Sequence, residues 1–504
     1  MIKNPPPSIA NVRPPIVAVM GHIDHGKSTL LDFIRQSNVV ASEAGGITQS
    51  ISAYEVVREK NGQPHTITFI DTPGHAAFQT MRERGAQIAD IAILVVSAEE
   101  GVKPQTLEAL TAITEAGLPY IVAINKIDRP NASPERTKQS LAENNILIEE
   151  YGGTIPAAAI SAKTGAGIDE LLDLVLLVAE ISELKTDPSA AGSGYILETN
   201  RDPRQGVTAT LIIKNGTVRV GDFLIINQLV AKIKRLNNFM GQAVDSLVAS
   251  APAQVLGLPE LPPVGANFAT ATAKSAAEAL AKKPEAAAPT HPTRPLTTTD
   301  DPLKAIIPVL IKADVAGAVE AVSREVKNQA TPNVAIAVIG SGVGQITEND
   351  IKLASGSNRS LVLGFNVSIQ PSALELAEIN GITVKTFDII YKLSEWLALE
   401  VANRTPRVTA EEVTGQAKIL KFFSAARTKQ VIGGSVTSGT IGLGRAVKIM
   451  RRETEIGRGK IVELQQLKTA VKEVSEGNQF GAMIDAKVTI APGDLIQVVE
   501  MVTK

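Results

Sequence analysis

The residues GHIDHGKS at positions 21–28 are the part of the chain best equipped for chemistry. An apolar run, Ile16 to Met20, leads into them and an apolar helical start follows. This is the strand, G-x-x-x-x-G-K-S/T loop and helix of a phosphate-binding site. Gly21 and Gly26 allow a tight turn in which successive N–H groups face one anion. A helix beginning near Lys27 adds its positive end. Lys27 can reach the outer phosphates and the Ser28 hydroxyl can hold Mg²⁺, while His22, Ile23, Asp24, His25 and Thr29 complete the cradle.

Four further motifs supply what such a site lacks. HTITFI alternates as a strand and runs into DTPGH, so Asp71 stands at a strand end where it can hold Mg²⁺ through a water. Thr72 and Pro73 shape the turn, Gly74 can offer its N–H to the terminal phosphate, and His75 can orient an attacking water. SNVVASEAGGITQSISAY is polar and glycine-rich without a clear period, a candidate mobile loop whose Thr48 hydroxyl could close on the metal. NKID, residues Asn125, Lys126, Ile127 and Asp128, ends another strand. A carboxylate there accepts from the two adjacent donors of guanine and penalises adenine, which has none in that arrangement. Asn125 and Lys126 would brace the loop and cover the base, and SAK, Ser161, Ala162 and Lys163, closes the last strand. The ligand this set fits is GTP with Mg²⁺, and the reaction is hydrolysis to GDP and phosphate, with His75 and Lys27 in the catalytic roles.

The elements that must position these motifs alternate strand and helix. Ile91 to Val96, Pro119 to Ile124 and Ile155 to Ile160 read as strands, and Lys27 to Gln36 and Thr106 to Ala116 as helices. That order predicts a parallel α/β sheet with ligands at the strands' C-terminal ends. The remainder divides into an extended tail over 1–13, a GTP-binding domain over 14–184 and a first β-barrel over 190–272. An Ala/Pro/Thr-rich linker follows over 273–302, helical in part at SAAEALAKK. A domain over 303–388 combines four strands with helices, a linking helix covers 389–410, and a second β-barrel covers 411–504. GSGVG after a strand lacks the G-x-G-x-x-G spacing of a dinucleotide site, and Thr347 with Asp350 marks a capped helix start instead.

Composition narrows the class further. The 504 residues contain no cysteine, which excludes disulfides, thiolate metal centres and thiol catalysis. Aromatics are only 3%, too few for a stacking-based single-strand binder. No stretch approaches the ~20 apolar residues of a membrane span, so the expectation is a cytoplasmic, monomeric protein without a membrane partner. The net charge of −2 conceals an uneven distribution: residues 415–504 carry 14 Lys and Arg against 8 Asp and Glu. Arg427, Lys429, Arg445, Lys448, Arg451 and Arg452 in the last barrel could meet phosphates.

GHIDHGKS, GGIT, DTPGH, NKID and SAK together resemble the translational GTPases, and VTATLIIKNGTVRVGDFL resembles their second domain. VVASEAGGITQSISAY, DTPGHAAFQTMRERGAQIADIAILVVSAEEGVKPQT, VLIKADVAGAVEA, GSGVGQITENDIKLA and KIMRRETEIGRGKIVELQQLK are similar to bacterial-type translation initiation factor two. The resemblance implies a P-loop GTPase domain, a β-barrel, a three-layer α/β/α domain, a long helix acting as a rod and a C-terminal β-barrel. It assigns Ser28 and Thr48 to Mg²⁺ and His75 to the hydrolytic water, with Ile23 and Ile47 as an apolar gate on His75. It implies GTP-dependent binding of formylmethionyl initiator tRNA to the small ribosomal subunit and promotion of subunit joining. The partners are then the ribosomal subunits, initiator tRNA and other initiation factors. The last barrel would hold the tRNA end, with Arg427, Lys429, Arg445 and the positions of Gly434 and Phe480. The family commonly has cysteine at those last two positions, and His where this chain has Ser50. Set against the family's pattern, the expectation is a chain that lacks a long N-terminal extension and has a shorter linker. An elongation or ribosome-assembly GTPase, or a nucleotide-gated binder with incidental hydrolysis, shares the first half and differs in the second.

Overall fold

The computed structural model describes residues 11–36, 47–60, 62–282, 305–356, 359–405 and 409–503. Most of the expected tail, the Ser37–Gly46 part of the glycine-rich loop and the linker beyond Lys282 lie outside the described residues. The chain forms two compact units, Met1–Arg404 and Thr405–Lys504.

The nucleotide motifs sit on a six-stranded sheet. Its order is Ser52–Lys60, Gln63–Asp71, Ile16–Gly21, Ile91–Ser97, Tyr120–Asn125 and Ala157–Ala159. Every neighbouring pair is parallel except the first, which is an antiparallel hairpin. The expected parallel sheet thus gains one antiparallel edge strand that the sequence reading did not include. The added strand is an edge strand with only Tyr54 buried, so its VVREK run carries no core-like pattern. The central strand Ile16–Gly21 is buried on both faces. Val17 and Val19 face one apolar cluster with Leu30, Leu171 and Val175, and Ala18 and Met20 face another with Ala109, Ile113 and Leu141. Register brings the functional ends together: Val19 pairs with Asp71, Gly21 with Val95, and Ser97 with Asn125.

The second domain is an antiparallel sheet ordered Leu229–Lys232, Phe223–Ile226, Asn267–Ala271, Ser193–Asp202, Gly206–Asn215, Pro252–Leu258 and Arg235–Asn237. The short helix Lys274–Ala281 packs Ala277 against it. The third domain has a four-stranded parallel sheet ordered Val334–Val343, Ala305–Ala313, Leu361–Phe365 and Thr383–Phe387. Helices Ala316–Asn328 and Ile390–Arg404 cover one face and Glu348–Ala354 and Pro371–Ile379 the other, giving three layers. Thr347 and Asp350 form the expected capping box. The helix Ile390–Arg404 buries Ile390, Leu393, Leu397 and Val401, so it packs along its whole length.

Domains of the first unit meet through buried polar joints. Asp90 accepts from Arg13 at 2.6 and 2.7 Å, from Lys214 at 2.6 Å and from the Ile16 N–H at 2.9 Å. Ala77, Phe78 and Met81, just after DTPGH, are buried in the third domain's own apolar cluster with Ile307, Phe365 and Leu393.

The second unit is an antiparallel sheet in which Thr409–Ala426 pairs with both Leu495–Thr503 and Lys429–Gly442, closing the barrel. Several of its basic residues are ion-paired. Arg445 pairs with Glu500, Lys448 with Glu411 and Glu455, and Arg451 with Asp494. Arg427, Lys429 and Arg452 lack a carboxylate partner among the described residues. No described helix is long and apolar enough to cross a membrane.

Candidate nucleotide site

The loop between Gly21 and Lys27 is shaped by left-handed residues that the sequence supplies where they are needed. Gly26 has φ +88°, and a Cβ there would stand 2.4 Å from Asn125 Nδ2, so the loop depends on glycine for closeness as well as conformation. The helix Lys27–Arg35 starts directly behind it. Lys27 is buried, and its ammonium donates to the His22 carbonyl at 2.8 Å. Burial pushes it down to about 8, against the opposing pull of Asp71. Gly74 lies so close that a Cβ would meet the Lys27 Nζ at 2.6 Å and the Ile23 N at 3.2 Å, which places the DTPGH turn over the phosphate loop. His25 is different from its neighbours. Its side chain is fully buried beneath the loop near the Val95 carbonyl and Ser97 N–H, and burial, then His22, holds it down at about 3. His25 therefore serves the loop through its backbone: its carbonyl accepts from Asn125.

Three oxygens from separate segments converge beside Lys27. Ser28 Oγ and Thr48 Oγ1 are 2.6 Å apart, and Thr48 Oγ1 donates to Asp71 Oδ2 at 3.4 Å. Two hydroxyls and a carboxylate are the hard, all-oxygen donor set that suits Mg²⁺. Thr72 anchors the turn by donating to the Val19 carbonyl at 2.9 Å. Arg82, 1% exposed, donates to the carbonyls of Pro73 and His75 at 3.2 and 2.6 Å and pairs with Glu108 at 2.9 Å. Sequence reasoning missed Arg82, because nothing local marks an arginine in a helix as buried.

His75 accepts from the Ala77 N–H at its Nδ1, 3.0 Å away. That contact assigns the proton of the neutral ring to Nε2. Burial, outweighing Glu325, pushes the ring below its ordinary value, so it is neutral at pH 7. Ile23 lies against Gly74 and Ile47 is half-buried, while the aromatic neighbours of His75 are Phe78 and, from the third domain, Tyr391. Tyr391 was not foreseen.

Asn125 joins its own NKID motif to the phosphate loop and to SAK. It is 1% exposed; Nδ2 donates to the His25 carbonyl at 2.8 Å and Oδ1 accepts from the Ala162 N–H at 2.9 Å. Lys126, at φ +69°, turns the chain so that Asp128 stands exposed at the edge. Ser161 donates to Asp128 Oδ1 at 2.7 Å and, as the main cause, holds the carboxyl below its ordinary value. The phosphate-loop residues, the Ser28, Thr48 and Asp71 oxygens and the Asp128 carboxylate thus share one edge of one sheet.

The five residues suggested for tRNA are not gathered in the same way. Gly434 and Phe480 face each other across paired strands, and a Cβ on Gly434 would meet the Phe480 ring at 2.8 Å. Arg427 and Lys429 lie at one end of the strand Lys429–Gly442, and Arg445 lies beyond the other end, paired to Glu500. Arg445 is thereby separated from Arg427 and Lys429.

The comparisons agree with this architecture. The elongation factor Tu GTP binding domain family matches residues 13–180, the elongation factor G domain 2 family matches 191–271, and the translation-initiation factor 2 family matches 296–398. The chain is 40% identical over 500 residues to translation initiation factor IF-2 of Rubrobacter xylanophilus, covering 97% of this chain and 72% of that protein. It is 40% identical to that of Clostridium perfringens, covering 97% and 73%, and 41% identical to that of Carboxydothermus hydrogenoformans, covering 97% and 60%. The chain spans about half to three quarters of the length of the curated relatives it matches. At this identity over nearly its whole length, the chain belongs to the translation initiation factor IF-2 family.

Proposed function

We propose that this chain is a GTP-hydrolysing translation initiation factor of the cytoplasm. With GTP bound it binds formylmethionyl initiator tRNA to the small ribosomal subunit and promotes subunit joining, and hydrolysis releases it. The single observation that carries the reading is the convergence at one sheet edge of Lys27, the Ser28, Thr48 and Asp71 oxygens, and Asp128. Mg²⁺ held by Ser28, Thr48 and, through water, Asp71 would neutralise charge on the outer phosphates.

The protein's own groups do the rest. N–H groups of residues 21–29 and the Lys27 ammonium stabilise phosphoryl charge. Gly74 supplies an N–H to the terminal phosphate. His75 is neutral and carries its proton on Nε2, so it orients water by donating a hydrogen bond rather than by removing a proton. Asp128 reads guanine with the oxygen not held by Ser161, and Asn125 keeps that loop against the phosphate loop. Arg427 and Lys429 of the last barrel contact tRNA phosphates, at the start of the strand that carries Gly434.

Two measurements on the full chain test this. His75→Ala keeps GTP binding and loses ribosome-stimulated hydrolysis; full stimulated turnover in that variant removes His75 from its role. Filter binding gives tighter retention of formylated than unformylated initiator tRNA; equal retention reduces the reading to a general ribosomal GTPase.

A further inference from the structure

The third domain reaches two segments of the nucleotide site, the one that carries Thr48 and the one that carries His75. Gln49, the residue after Thr48, is buried and its amide is held at both ends by one helix start. Nε2 donates to the Asp388 carbonyl at 2.8 Å, and Oε1 accepts from the Ile390 N–H at 3.0 Å. That N–H belongs to the first turn of the helix Ile390–Arg404, where no intrahelical acceptor exists, so Gln49 caps the helix from another domain. The next residue, Tyr391, stands edge to face on His75, with ring centroids 4.5 Å apart and planes at 71°. Burial and the Asp24 carboxylate of the phosphate loop push the Tyr391 hydroxyl up.

Packing of the helix does not call for a ring at this position. Its buried stripe is Ile390, Leu393, Leu397 and Val401, whereas Tyr391 lies off that stripe and is 40% exposed. Its edge-to-face contact is with His75. The His75 ring is meanwhile fixed at Nδ1 by the Ala77 N–H and flanked by Phe78 at 6.1 Å. A ring held at one nitrogen and on one face is not free to turn toward a phosphate.

We propose that Tyr391 is a positioning residue that holds His75 idle, and that Gln49 ties this hold to the loop carrying Thr48. The inference rests on the reading of His75 as the group that orients water. When Thr48 engages the metal, Gln49 draws the start of the helix with it; when a partner displaces the third domain, Tyr391 leaves His75 and the ring is released. Slow hydrolysis by the free protein then follows from a contact within the chain, not from an incomplete phosphate site.

The test is single-turnover GTP hydrolysis by the full chain without ribosomes, together with the ring-proton NMR signals of His75. Tyr391→Ala raises the rate about two- to tenfold, the shift that losing one edge-to-face pair permits. It also removes the ring-current displacement of the His75 signals. Tyr391→Phe keeps the ring, so it restores both the slow rate and the displaced signals. In a His75→Ala background, Tyr391→Ala changes nothing. An unchanged rate in Tyr391→Ala, with the His75 signals moved, overturns the proposal, and so does a His75 signal that never sensed Tyr391. Failure of the underlying reading shows elsewhere, as full ribosome-stimulated turnover in His75→Ala alone.

Discussion

Asn125→Ala is the substitution whose cost follows most directly from the geometry. The side chain makes two hydrogen bonds, to the His25 carbonyl at 2.8 Å and from the Ala162 N–H at 2.9 Å, and is 1% exposed. Alanine removes both and leaves a buried backbone acceptor and a buried backbone donor behind. Each such orphan costs about 1–3 kcal/mol. The two lie in different motifs, so the loss separates the phosphate loop from the SAK turn rather than weakening one of them. Hydrogen exchange reads this locally: the Ala162 N–H in the variant exchanges about five- to 150-fold faster, the factor that 1–3 kcal/mol gives. Titration with a fluorescent GDP analogue gives at least about a tenfold weaker affinity, because the loop must be reorganised on binding. Amides of the separate second unit, in the Thr409–Ala426 barrel strand for example, are unaffected. Unchanged exchange at Ala162 would refute the brace, whatever happened to affinity.

Two further predictions concern the joints between domains. Glu198 is buried, and burial pushes it up to about 7 despite amide hydrogen bonds from Thr199 and Gly317. The folded state therefore holds its proton longer than the unfolded state, so stability from this group is complete below about pH 4.5 and is lost as pH rises through about 7. Glu198→Gln keeps an acceptor for the amides, gains about 1–3 kcal/mol at pH 8 and flattens the stability profile between pH 5 and 8; parallel profiles for the two proteins contradict this. Asp90 shows the reverse sign: burial pushes it up, but Arg13 and Lys214 outweigh burial and hold it below its ordinary value. Its contribution is present above the ordinary carboxylate range and is lost as pH falls through the lowered value. Asp90→Asn strands two cations and costs about 3–5 kcal/mol at pH 7 in thermal or urea unfolding; a loss below 1 kcal/mol sinks the joint's assigned role.

The nucleotide site was legible because each of its motifs combines residue type, spacing and a position at a strand end. Ser28, Asp71, Asn125 and Asp128 needed no tertiary information to be picked out, and the Thr347–Asp350 cap was equally local. What escaped depended on partners distant in sequence. Arg82 works through carbonyls of its own loop, but its burial is created by neighbouring helices. Gln49 and Tyr391 gain meaning only from contacts spanning more than 300 residues. The strand Ser52–Lys60 was hidden because an edge strand with one buried side chain has no apolar period. The ion pairs of the last barrel were equally invisible, because Glu411, Asp494 and Glu500 are distant in sequence from the arginines and lysine they neutralise.

The central claim is that one sheet edge grips a magnesium-bound triphosphate and lets a carboxylate choose its base. Calorimetric titration of the full chain and of Asp128→Asn with GTP and with xanthosine triphosphate, each in magnesium and in chelator, tests it most directly. The wild type is predicted to bind GTP only weakly without magnesium, and the variant to lose about a hundredfold in GTP affinity while gaining xanthosine triphosphate. A wild type that gives no heat with millimolar GTP in magnesium, or a variant that keeps its preference for guanine, would contradict it.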